Sequence, residues 1–137
     1  MMLYVTGMNA LNVPCNLDTI GDWHKEHYNW KHPDSMESED SPLKNYGIDY
    51  RYVEDFHKSV YIANHIRALL DLLYRGMFSY CFGMRYMYID NERYNSEVYR
   101  QVYRLKGENQ WNRIDEFMTN EYGLEWTQYK QRQEETE

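Results

Sequence analysis

The sequence predicts an α+β fold, predominantly helical, with four to five helices and a small N-terminal β element. Three observations point there. The run SVYIANHIRALLDLLYRG places Val60, Ala63, Ile66, Leu69, Leu70 and Leu73 on one helical face. Two later stretches repeat that spacing, first Tyr94, Val98, Val102 and Leu105, then Trp111, Ile114, Phe117 and Met118. Before residue 55, apolar residues instead come in short extended runs.

In chain order, MLYVTGMNALNV reads as a short strand and turn, with Gly7 and Asn9 marking the turn. Pro14 then holds Val13 extended. A helix is expected from Thr19 or Ile20 to Trp30, capped by Asp18 or Thr19. It would carry Ile20, Trp23, His27 and Trp30 on one face, and Gly21 weakens it. Pro33 ends that segment, and the acidic, Ser-rich stretch that follows reads as an exposed loop over 33–43. Tyr46, Ile48, Tyr50 and Tyr52 recur at period two and predict a strand.

The central helix is expected from about Asp55 to Tyr74, stopped by Gly76. MFSYCFGMRYMYI fits two descriptions. Its alternation of Phe78, Tyr80, Phe82, Met84, Tyr86 and Tyr88 suits a strand; a short helix broken at Gly83 suits it as well and is preferred. Helices over 91–106 and 109–122 follow, closed by Gly107 and Gly123. A last helical segment runs from Leu124 through Tyr129, and the polar tail 131–137 is expected to fray.

A chain of 137 residues can bury roughly two-thirds of its unfolded surface, which suffices for one domain. We read residues 1–54 as an acidic front part and 55–130 as a helical part. Mean hydropathy is −0.91 although 42% of residues are hydrophobic, because 15 are tyrosines. Each tyrosine buries a ring but needs a partner for its hydroxyl.

The net charge of −7 is uneven. Residues 1–55 hold ten acids against Lys25, Lys31, Lys44 and Arg51, whereas 56–137 hold twelve acids and eleven bases. Such a front half repels phosphate backbones and steers basic partners inward, so direct nucleic-acid binding is disfavoured. No basic-then-apolar leader and no run approaching a membrane span is present, so a cytoplasmic location is expected. Cys15 and Cys81 form no CxxC pair; reduced thiols fit that compartment, and the sequence leaves a disulfide between them open.

The densest chemistry lies in CNLDTIGDWHKEHYNWKH, residues 15–32. Cys15, His24, His27 and His32 are zinc-ligand types but lack HExxH or paired CxxC spacing, so no metal and no cofactor is expected. On a helix, Asp18 and Asp22 would lie side by side, as capping residues or as a carboxylate pair, while Asp22 and His24 could not face each other. RYVEDFH offers Arg51 and His57, an arginine–histidine pairing similar to that of small helical ribonucleases of the HEPN type. There a histidine can move a proton while arginine steadies phosphoryl charge. Arg85, Arg93, Arg100 and Arg104 alternate with tyrosines in a manner suited either to nucleic-acid stacking or to a salt-bridged helix face; the structural reading is preferred. Cys81 is expected to be a buried inert thiol, and His65 a satisfied core or rim residue.

The segments ALNVPCNLDTIGDWH and HIRALLDLL, with Trp30 and Tyr46-Gly47-Ile48, resemble a family of short bacterial proteins found beside abortive-infection-type nucleotidyltransferase toxins. The resemblance implies an accessory or antitoxin-like partner role and brings no catalytic residues. The sequence is thus read as a small acidic interaction module that neutralises or regulates a basic partner protein, encoded by a neighbouring gene. Asp18, Asp22, Trp23, His24 and Trp30 are its candidate partner-binding residues. The alternative is a small nuclease or hydrolase, metal-dependent or not, using Asp and His residues, with Arg51 and His57 as catalytic candidates.

Overall fold

The computed structural model describes residues 2–24 and 28–136. It is an α+β fold in which a four-stranded sheet from the front half meets helices from the back half. Strand β1 (Leu3–Val5) leads through Thr6 into a short helix, α1 (Gly7–Leu11), all of which is buried. Strand β2 (Ser35–Glu37) lies antiparallel to β1, with Tyr4 opposite Met36. Strands β3 (Ile48–Val53) and β4 (Lys58–Ala63) form an antiparallel hairpin, and β4 runs parallel to β1. The sheet order is β2-β1-β4-β3.

Helix α2 (His65–Tyr74) follows β4 with only Asn64 between, and the Asn64 side chain caps it by accepting the Arg67 amide at 2.8 Å. Helices α3 (Asn95–Tyr103), α4 (Trp111–Tyr122) and α5 (Leu124–Thr136) complete the fold. Positions 65–73 of α2 are buried all round, so it is the centre of the core rather than one wall of it. That burial takes in Arg67 and Asp71, both fully enclosed. They survive there because every strong donor and acceptor is used. Arg67 donates to Asp71 (2.9 Å), to the Tyr4 hydroxyl (2.7 Å) and to the carbonyls of Lys44 and Tyr46 (2.7 and 2.6 Å). The other Asp71 oxygen accepts from Tyr4 (2.6 Å) and Thr6 (2.7 Å). This network ties β1, α2 and the 43–46 turn together.

Several expectations need correction. No helix occupies residues 19–24 or 28–30, and part of the expected helix, 25–27, lies outside the described residues. Gly21 adopts φ +77°, and its amide is taken by Tyr88 O at 2.8 Å, so the chain is held out of a helix and against the core. The central helix begins at His65, not Asp55: residues 58–63 are β4. Val60 and Ala63 suit a helical period and a strand equally, and the Glu54–Phe56 turn closed by left-handed His57 decides for the hairpin. The 33–43 loop contains β2 and buries Leu43. Residues 7–11 are helix rather than turn. Helix α5 continues through Thr136, into the expected tail. In line with the preferred short helix broken at Gly83, Phe78–Tyr80 form a 3₁₀ turn and Met84–Ile89 a π-helical stretch, with a turn over 81–83 between them.

A cluster of tyrosines and tryptophans meets in the back half. Tyr99, Tyr103, Trp111, Tyr122, Trp126 and Tyr129 contact one another in pairs, with ring centroids 5.3–6.2 Å apart. The Trp126 indole donates to Asp115 at 2.8 Å. Part of the arginine–tyrosine alternation is taken up by contacts within the chain: Arg93 lies over Tyr94, and Arg85 over Tyr86 and Tyr122. No described helix is long and apolar enough to cross a membrane.

Candidate functional site

The stretch from Val13 to His24 has no regular secondary structure and wraps the N-terminal end of α2. Its backbone is pinned at intervals: Asp22 N–H donates to Leu11 O (2.8 Å), His24 N–H to the Asn12 side chain (2.6 Å), and Asp18 N–H to the Tyr94 hydroxyl (2.9 Å). Because the chain is not helical here, residues two apart can face each other. Asp22 is buried and holds the Nδ1 edge of the exposed His24 ring, and Tyr28 donates to its other oxygen at 3.2 Å. The contact that a helix forbids between Asp22 and His24 is therefore present. Asp18 is not a cap: it is exposed, and Asn91 donates to its backbone oxygen at 3.1 Å.

Inside that wrap lies a chain of polar groups. His65, buried at the first position of α2, turns Nε2 to the Val13 carbonyl (2.7 Å) and Nδ1 to the Thr19 hydroxyl (2.7 Å). With Nε2 protonated to serve the carbonyl, Nδ1 accepts the Thr19 proton. Thr19 Oγ1 stands 3.6 Å from Cys15 Sγ. Burial pushes the Cys15 thiol up, but hydrogen bonds and charge from His65, with Thr19, outweigh it and bring the thiol down to about 7. Cys81 is the opposite case: burial first, then the nearby Glu121 charge, push it up to about 12. Both cysteines are free.

A groove of about 450 Å³ opens on the sheet, with walls formed by Leu3, Trp30, Tyr50, Phe56, Val60 and Tyr61 and with Lys31 and Lys58 beside them. Leu3 is 62% exposed, Tyr50 64% and Tyr61 43%. Tyr50 and Tyr61 pair across the β3–β4 hairpin with rings 4.8 Å apart, and Trp30 meets Phe56 edge-on at 5.6 Å. Trp23 is 57% exposed, and neighbouring Ile20 is exposed too. Trp23 and Trp30 thus share no helix face; Trp30 belongs to the groove.

Arg51 and His57 are held in separate roles. The Arg51 guanidinium donates to Pro14 O at 2.6 Å and to Ala63 O at 3.5 Å. His57 is exposed at the hairpin turn, 4.0 Å from Glu54. The zinc-ligand types are also dispersed: among the described residues no group of three or more His, Cys, Asp or Glu side chains could hold a metal ion, and His27 lies outside them.

The groove and the Cys15–Thr19–His65 chain both escape a reading by spacing. Strand alternation exposes Tyr50, but only the hairpin brings Tyr61 to it. Cys15 and His65 are fifty positions apart, and no local pattern joins them. Comparison with known protein families, curated proteins and solved structures finds no match for this chain.

Proposed function

We propose that this protein is a binding module whose sheet groove seats an apolar segment of a basic partner protein. The observation that carries the proposal is the groove itself: Leu3, Tyr50 and Tyr61 stay exposed around a concave, aromatic-walled surface, where burial by a partner returns free energy. Aromatic side chains make good anchors because they bury much area at little cost in rotamer entropy. The charge of −7 supplies steering towards a basic partner, and Glu37 and Glu54 sit close in sequence to the groove residues Ser35 and Phe56. The stems of Lys31 and Lys58 add apolar wall. In its finer form the reading is antitoxin-like: the module covers the basic face of a toxin encoded by the adjacent gene. Asp18 and Trp23, both exposed, would extend the contact beyond the groove.

Co-expression with the adjacent gene's product tests this directly. A stable complex is expected, weakened by Tyr50→Ala with Tyr61→Ala, and less so by Trp23→Ala. Independent elution of the two proteins at micromolar concentration would contradict the antitoxin-like form.

One observation favours a second reading, a small hydrolase: the buried Asp22 carboxylate orients the exposed His24 ring, as a general base requires. Ribonuclease and esterase assays of the purified protein with and without EDTA check it. Activity lost in His24→Ala and kept in His57→Ala would support that reading, and absence of turnover would end it.

A further inference from the structure

We infer that Cys15 is a nucleophilic thiol served by the Thr19–His65 chain, and that it reacts with hydroperoxide oxidants to give a sulfenic acid. Four features converge on its sulfur. Thr19 Oγ1 lies 3.6 Å from Sγ and 2.7 Å from Nδ1 of His65, so one hydroxyl bridges thiol and imidazole. The far side of that imidazole is fixed on Val13 O, which sets the tautomer with Nδ1 open to a proton. The start of α2 contributes as well: His65 heads the helix, where aligned peptide dipoles favour negative charge. Arg51 brings a positive charge next door: its guanidinium bonds the Pro14 carbonyl, and its Nε is buried without an acceptor.

Cys15 is half-buried, so a small oxidant can reach it. In the step itself the thiol proton passes through Thr19 to Nδ1 of His65. The thiolate attacks one oxygen of the hydroperoxide, an S–O bond forms and the O–O bond breaks. The departing hydroxide or alkoxide takes the proton back through Thr19 and leaves as water or alcohol. Sulfur is oxidised by two electrons and the hydroperoxide is reduced by two. Cys81 is fully enclosed beside the Leu69 and Met77 carbonyls and stays out of this chemistry.

The experiment uses the full chain in its folded state. Iodoacetamide labelling is followed by peptide mass spectrometry across the pH range, and hydrogen peroxide is then applied in the presence of dimedone. Cys15 should alkylate with a midpoint near pH 7, against about 8.5 for an ordinary thiol, and should carry the dimedone adduct. Thr19→Val should raise that midpoint and slow labelling at pH 7 by about tenfold, whereas Thr19→Ser keeps both. An ordinary midpoint for Cys15, no change in Thr19→Val, or a dimedone adduct absent from Cys15 would each overturn the assignment.

Discussion

At the scale of single residues, two buried polar groups set the energetics. Asp71 accepts from Tyr4, Thr6 and Arg67 at once, so removing it strands three donors in the core. Asp71→Ala is expected to cost about 3–5 kcal/mol, measured by urea unfolding. A paired Arg67→Met, Asp71→Leu variant should recover part of that loss, because it removes both charges together. Cys15 makes stability depend on pH in a definite direction. Its folded value, about 7, lies below that of an ordinary thiol, so the folded state binds fewer protons between the two. Stability should therefore rise from pH 7 to 9 relative to a Cys15→Ser variant, and the gain is lost as pH falls through 7. Allowing for solvent screening of a half-buried group, the gain is about 1 kcal/mol. The sequence shows that Cys15, Thr19 and His65 exist but not that they meet, since their contact depends on the Val13–His24 wrap reaching the end of α2.

At the scale of elements, Gly21 decides the conformation of that wrap. It takes φ +77°, and a Cβ there would come within 2.6 Å of Leu11 O and 2.7 Å of the His65 ring. Gly21→Ala should cost more than about 1 kcal/mol and lower the midpoint of thermal unfolding by several degrees, read by circular dichroism. It should also raise the labelling midpoint of Cys15, since His65 would have to move. The helices of the back half were legible from their period alone: α3 and α4 bury Val98, Val102, Ile114, Phe117 and Met118 as that period requires. The stretches before them were not legible in that way. Ile20, Trp23, His27 and Trp30 match a helical spacing, yet tertiary hydrogen bonds from Gly21, Asp22 and His24 hold the described part of the segment out of a helix. Local propensity is a weak prior where so many partners lie far away in the chain. β4 was hidden for a related reason, its apolar residues fitting two periods at once.

At the scale of the whole molecule, the aromatic back half carries stability, and the proposed recognition falls on the sheet. Trp126 is fully buried among Tyr99, Trp111 and Tyr129, so Trp126→Ala should cost about 3–5 kcal/mol without touching the groove. Tyr50 and Tyr61 are exposed, so truncating both should cost little stability while removing the anchors of the proposed contact. The acidic front half and the tyrosine excess were plain in the composition, but only the fold separates the tyrosines that pack from those that face outward. Selection of a random peptide library on the folded protein, repeated on the Tyr50→Ala, Tyr61→Ala variant, tests the binding groove most directly. The account predicts peptides with an aromatic or aliphatic core and basic flanks, whose affinity falls by about tenfold or more in the variant while its thermal midpoint is kept. Peptides that bind both proteins equally, or no enrichment on either, would contradict it.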